Sequence, residues 1–362
     1  MSIVQQRLAN QHITRNELRD PARLVSWLGA VQAQEFGPAK WGLGLRLGPE
    51  MTDAKVQRAV DAGRIIRTHV MRPTWHFVTP KDIRWMLELT APSVHRRMAT
   101  YDRQLGLNAS IFNRAGKICE RVLRDANFLT RQEVGAHFTR AGLPGKGWHA
   151  GHIMMYLELE GVVCSGPRRL KQSTYALLDE RAPNARRLSR DDALGELARR
   201  YFQSHGPATL RDFVWWSGLP TPEAKRGLEM IRVAELKVDG KSYWTLSTRA
   251  RPRRPPRPPR PLVHLLPIYD EYLVAYRDRD AVPHGSAMVP SQRSGYVQFQ
   301  HALVIGGQVA GTWRAKASDD RVDVAVIPLR RLTPTERTAL RRTLTRYQRF
   351  LGVPVSLAST GA

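Results

Sequence analysis

Apolar positions along the chain alternate between two spacings. Three stretches, "HITRNELRD" from His12, "FLTRQEVGAHF" from Phe128 and "PATLRDFVWWSGL" from Pro207, share a local order. Each sets a Thr ahead of a basic residue, an acidic residue and apolar positions at helical spacing, which predicts a helix start capped by Thr with an acid in its first turn. A second helical stretch follows each, then two short runs of strand-like alternation. The second pair of runs is "GVVCSG" and "TYALLD" around "PRRLKQS"; the third is "AELKVDG" and "SYWTLS" around Asp239-Gly240, a hairpin signal. The first pair lies within "RIIRTHVMRPTWHFV". Helix, turn, helix, hairpin is the winged-helix order, and its threefold recurrence predicts a structural repeat. Coincidental capping boxes in a general α+β protein are the competing reading.

Beyond Pro261 the pattern changes to apolar runs, "LVHLLPIYDEYLVAY", "ALVIGGQVAGTW" and "VDVAVIPL", with Gly306-Gly307 as a turn. These predict a β-rich domain closed by the helix "TPTERTALRRTLTRYQRFLG". Between the two regimes lies "RPRRPPRPPR", residues 251–260, five Arg and five Pro, expected as an extended linker. The expected organisation is 1–95, 96–185 and 186–250 as three winged-helix units, 251–261 as linker, and 262–362 as a barrel-like β domain, α+β overall.

Charge narrows the function. The chain of 362 residues carries 57 Lys+Arg against 32 Asp+Glu, a formal net charge of +25, which calls for a polyanionic partner. Cys119 and Cys164 have no C-x-x-C spacing and are expected as reduced core residues. No apolar run reaches the roughly 18 residues of a membrane span, so a cytoplasmic, nucleoid-associated protein is expected. No P-loop, nucleophile elbow, zinc-protease or dinucleotide motif is present, and neither metal nor organic cofactor is expected. In "YDEYLVAYRDRD", residues 269–280, the interleaved Arg277 and Arg279 favour an internal ion-pair network over a metal site. Trp215 and Trp216 are read as core.

"GAVQAQEFGPAKWG", residues 29–42, places Gln32 and Gln34 two apart before Gly37-Pro38, read as a helix stop. Residues i and i+2 share one side of an extended chain but lie about 200° apart on a helix, so a helix ending near Val31 lets both amides face one cleft. Amides can orient water without titrating near neutrality. Glu35 would point the other way and is the alternative base.

Through "LGAVQAQEFGPAKWGLGLRL", "RTHVMRPTWHFV", "LLPIYDEYLVAYRDRDAV" and "GGQVAGTWR", the chain resembles the bacterial winged-helix DNA glycosylases of the AlkZ and YcaQ type over nearly its whole length. The resemblance implies tandem winged helices in a C-shaped clamp, a C-terminal β-barrel, and hydrolytic excision of N-alkylated purines from duplex DNA, with crosslink unhooking in some members. It also implies that Gln32, Ala33 and Gln34 match a catalytic glutamine-x-glutamine motif, where another branch has Asp at the second position. The Arg-Pro linker departs from the family's pattern. Arg67, Arg72, His76, Lys146, Arg168, Arg169 and Lys171 near the expected wings, with Arg277, Arg279 and Arg314 further on, are the candidate DNA contacts. A monomer is expected, because three dissimilar units do not suit the paired half-sites of a symmetric dimer. A non-enzymatic DNA-binding regulator and an RNA-binding scaffold are the rival readings.

Overall fold

Thr130 and Thr209 cap the helices that their sequence predicts. The Thr130 and Thr209 side chains each accept from the N–H of the third helical residue, and Glu133 and Asp212 answer with their carboxylates, so both capping boxes are complete. The computed structural model describes residues 2–246, 262–282, 288–290, 297–318 and 320–358. The Arg-Pro linker lies outside the described residues.

The helix–helix–hairpin order occurs three times. Helices Phe36–Gly44 and Asp53–Asp61 precede strands Ile66–Val70 and Arg72–Val78. Helices Arg131–Arg140 and Gly147–Leu159 precede Val163–Ser165 and Thr174–Leu177, and helices Leu210–Ser217 and Thr221–Glu229 precede Ala234–Val238 and Lys241–Thr245. Asp239 and Gly240 turn the last hairpin with φ of 48° and 73°, the left-handed conformation a two-residue loop needs. Helices Ile83–Gln104, Ala109–Val122 and Arg190–Ser204 lie between these segments.

The first segment corrects two expectations. Thr14 caps no helix. The helix starts at Pro21, where Asp20 accepts from the N–H groups of Ala22 and Arg23 at 2.7 and 3.1 Å. A helix begun at Arg15 would carry Pro21 in its second turn, without an N–H and clashing with the preceding turn; at the first helical position neither penalty arises. Gly37-Pro38 likewise opens a helix rather than stopping one: it lies in the first turn of Phe36–Gly44, and the preceding helix has already ended at Leu28.

Five C-terminal strands form one sheet in the order Val355–Leu357, Val322–Pro328, Gln308–Ala317, Ala302–Ile305, Val263–Leu266, antiparallel except at the Val355–Leu357 edge, while Met288–Pro290 and Val297–Phe299 pair as a separate antiparallel hairpin. Gly306 and Gly307, both at positive φ, make the expected turn. Among the described residues the two outer strands do not pair, so this sheet is open rather than a closed barrel. Helix Pro334–Leu351 packs Tyr347 and Phe350 against Trp41, at 4.8 and 5.2 Å between rings. That apolar core therefore runs from the N-terminal helices into the C-terminal sheet. A second core joins the first hairpin to Arg190–Ser204, Leu210–Ser217 and Tyr276. Cys119 and Cys164 are free and buried, as expected. Among the described residues no helix is long and apolar enough to cross a membrane, and no group of three or more His, Cys, Asp or Glu could hold a metal ion.

Candidate active site

Gly29, at φ 83°, ends the helix Pro21–Leu28, and the chain runs extended through Val31 and Gln32 before the helix of Phe36 begins. This short strand lies on the edge of the first hairpin, with Val31 opposite Phe77 and Gln32 opposite His76, and the Ala33 N–H donating to the Trp75 carbonyl at 2.7 Å. Val31 and Gln32 are extended, whereas Gln34 stands in a bend ahead of the Phe36 helix.

Both side-chain carbonyls are held. Gln32 Oε1 accepts from Arg72 Nη2 at 2.9 Å, and Gln34 Oε1 accepts from the Trp75 N–H at 3.3 Å. Guanidinium and backbone N–H groups only donate, so each amide must turn its oxygen toward them and direct its NH2 elsewhere. Among the described residues neither NH2 donates to a protein acceptor. Gln32 is buried, Gln34 half-buried, and Glu35 exposed ahead of the Phe36 helix.

Arg72 links three parts of the site. Its Nη1 donates to the Trp216 carbonyl at 2.8 Å, and its Nη2 also lies 3.2 Å from His76 Nε2. His76 Nδ1 lies 2.8 Å from the Thr74 carbonyl, so Nδ1 carries the proton and Nε2 accepts from Arg72. Burial, and then the charge of Arg72, lower the His76 pKa to about 3, so the imidazole is neutral at pH 7. Arg67 donates to the carbonyls of Ala33 and Gln34 at 2.9 and 3.2 Å and lies 4.3 Å over the Trp75 ring. Arg67, Arg72 and His76 therefore stand around the glutamine segment and hydrogen-bond within the protein.

Of the other basic candidates, Arg168 stays beside the motif, sharing the Phe36 ring with Arg67. It lies 4.5 Å over that ring, and the exposed Arg169 pairs with Glu133. Lys146 and Lys171 are exposed, with Trp148 beside Lys146 at 80 % exposure. Arg277 lies 5.4 Å over the Trp215 ring, Arg279 has buried nitrogens without partners, and Arg314 is exposed on the C-terminal sheet. The ion-pair network expected for residues 269–280 exists, but its cations come from outside the stretch: Arg46 holds Asp270, and Lys241 holds Asp278 and Asp280.

Two site residues escaped sequence reasoning. Glu271 accepts from the Gln32 backbone N–H at 2.7 Å, and Trp216 Nε1–H donates to Glu271 at 3.0 Å. Trp216 is core as expected, yet it also borders the site; Trp215 is 37 % exposed and donates to the Val274 carbonyl at 2.8 Å. The available signal for Glu271 was an acid among apolar positions in "YDEYLVAY".

Next to it, Arg46 grips both oxygens of Asp270 at 2.7 Å, with both side chains buried. Asp270→Asn leaves a buried guanidinium without its anion and is expected to cost about 3–5 kcal/mol. Urea unfolding measures this, and a wild-type midpoint would refute it. The histidines add a pH term. His76 titrates near about 3, and His264 and His301 near about 4, each lowered by burial from 6.5. The unfolded chain takes up these three protons below pH 6.5 while the folded chain does not, so stability present above pH 6.5 is lost on acidification. At ~1.4 kcal/mol per proton and pH unit, three protons give a slope of about 4 kcal/mol per unit near pH 5. Urea unfolding between pH 7 and 4.5 tests it; a flat profile would overturn it.

A family model described as DNA glycosylase AlkZ-like matches residues 25–350. A curated protein of Streptomyces sahachiroi, an interstrand DNA cross-link repair glycosylase, is 24% identical over 333 residues, covering 85% of each chain. The solved structure of the Streptomyces sahachiroi DNA glycosylase AlkZ superposes with a TM-score of 0.78 at 22% identity, covering 98% of each chain.

Proposed function

The chain belongs to the AlkZ-like DNA glycosylase family, and from that premise we propose that it hydrolyses the N-glycosidic bond of N7- or N3-alkylated purines in duplex DNA through Gln32 and Gln34. The observation that carries the reading is the Gln32-Ala33-Gln34 segment at the end of the Val31–Gln32 edge strand, whose two amides are held by Arg72 and the Trp75 N–H. Alkylation makes the purine cationic, so it leaves C1′ without a proton from the enzyme. The remaining demands are a held water and a site tolerant of positive charge on the sugar. Fixed amides meet the first by positioning. A neutral His76 and an ionised Glu271 beside the strand suit the second, because preformed charges and dipoles act without reorganising during the reaction.

In this reading the three helix–helix–hairpin segments are winged-helix units clamped around the duplex, the first two joined by the continuous helix Ile83–Gln104 rather than divided at 95/96, with 262–362 completing the clamp. The protein acts as a monomer in the nucleoid, and exposed Lys146, Lys171, Arg277 and Arg314 take phosphates. The Streptomyces sahachiroi relative's name extends the proposal to unhooking purines crosslinked between strands. Incubation with a duplex bearing one N7-methylguanine, followed by alkaline cleavage at abasic sites, tests it. Strand cleavage at the lesion is expected; duplex binding with no abasic site would favour a non-enzymatic binding protein.

A further inference from the structure

Glu271 is 1 % exposed, and no Lys or Arg touches its carboxylate directly among the described residues. Its partners are the Gln32 backbone N–H at 2.7 Å on Oε1, Trp216 Nε1–H at 3.0 Å on Oε2, and His205 Nε2 3.3 Å from Oε2, off the line of a full hydrogen bond. Burial pushes this carboxyl up, but the neighbouring His205, the Gln32 N–H and the charge of Arg72 outweigh it and hold the group near about 2. Glu271 is thus a buried carboxylate ion, a state that costs several kcal/mol unless its interactions repay it.

The backbone explains what it serves. Val31–Gln32 is an edge strand, so with the Ala33 N–H in the ladder toward Trp75, the Gln32 N–H points away from the sheet and has no strand to meet. Glu271 takes the place of that missing strand. Trp216 then ties both halves of Gln32 together: its indole N–H fixes the carboxylate on the main chain, and its carbonyl fixes Arg72, which holds the side-chain Oε1.

We propose that Glu271 is a positioning residue for Gln32, supplied by the C-terminal part of the chain and aligned by Trp216, so that the glutamine is in register only when those segments are docked. This rests on the reading of Gln32 as catalytic. In Glu271→Gln the new amide can still accept from the Gln32 N–H only by turning its NH2 against the Trp216 N–H, so only one of the two hydrogen bonds survives. Single-turnover excision of N7-methylguanine is expected to fall on the order of 100-fold, with duplex affinity within about twofold of wild type, as a displaced catalytic group rather than a damaged DNA surface requires.

A second readout does not depend on activity. With 15N-glutamine labelling, the Gln32 amide, identified by its loss in Gln32→Ala, should exchange with solvent far more slowly in the wild-type chain than in an unfolded one, and should shift in Glu271→Gln. Wild-type excision by Glu271→Gln, equal losses of rate and affinity, or unprotected exchange of the wild-type amide would each overturn the proposal. Should Glu271→Gln not fold, the wild-type exchange rate decides alone. If the wild-type chain excises no N7-methylguanine, the glycosylase reading falls, while exchange at Gln32 still decides whether Glu271 holds it.

Discussion

Replacing Gln32 and Gln34 together by Ala is expected to slow single-turnover excision of N7-methylguanine by at least ~10²-fold, the typical loss when one preorganised hydrogen-bonding group is removed from a transition state. Duplex affinity should change little, because neither side chain carries charge. Stability will not be untouched. Gln32 is buried and accepts from Arg72, so its loss leaves a guanidinium N–H short of a partner, at a cost of about 1–3 kcal/mol, whereas the half-buried Gln34 should cost less. Gln34→Asp should retain more activity than Gln34→Ala, since a carboxylate can orient a water and also take its proton. Excision at the wild-type rate by the double variant would remove both glutamines from the mechanism and leave Glu35, exposed one residue further on, as the next base to test.

What the sequence revealed of this site was its local part. Two Gln at i and i+2, a helix that had to end before them, and capping boxes at Thr130 and Thr209 are short-range facts, because a cap or an extended dipeptide is decided within a few residues. Where local signals competed, the stronger backbone constraint won: Pro21 and Pro38 each belong in a first helical turn, which moved one expected helix start from Thr14 to Asp20 and turned an expected stop into a start. The rest was illegible for a physical reason. Glu271 meets Gln32 across 239 residues of sequence, and Arg46 meets Asp270 across 224. No periodicity encodes such pairings; they follow from how the segments pack. The same reason explains why Arg67 and Arg72, read as phosphate contacts from their position near a wing, turn out to hydrogen-bond the glutamine segment.

That reassignment divides the basic residues by the measurement each should change. The chain carries 57 Lys+Arg against 32 Asp+Glu, so binding to undamaged duplex should be mainly electrostatic. If about 6 to 10 phosphates are neutralised, affinity should fall on the order of 10³- to 10⁵-fold between 50 and 200 mM salt. Lys146, Lys171, Arg277 and Arg314 form no ion pair among the described residues, and all four are exposed, the condition for replacing counterions on DNA. Removing Lys146 and Lys171 together, as Lys146→Gln with Lys171→Gln, should flatten the slope of log affinity against log salt by about 1.8, or roughly 0.9 for each phosphate no longer neutralised. Arg67→Gln should behave differently. Its Nε and Nη2 hold the carbonyls of Ala33 and Gln34 and its guanidinium covers the Trp75 ring, so its loss should change the salt slope less than the two lysines do and lower the excision rate instead. Fluorescence anisotropy across a salt series, paired with single-turnover excision for each variant, separates the two groups. A salt-independent wild-type affinity, or a slope that drops as far for Arg67→Gln as for the two lysines, would mean that the phosphate-binding groups are not where exposure and hydrogen bonding put them.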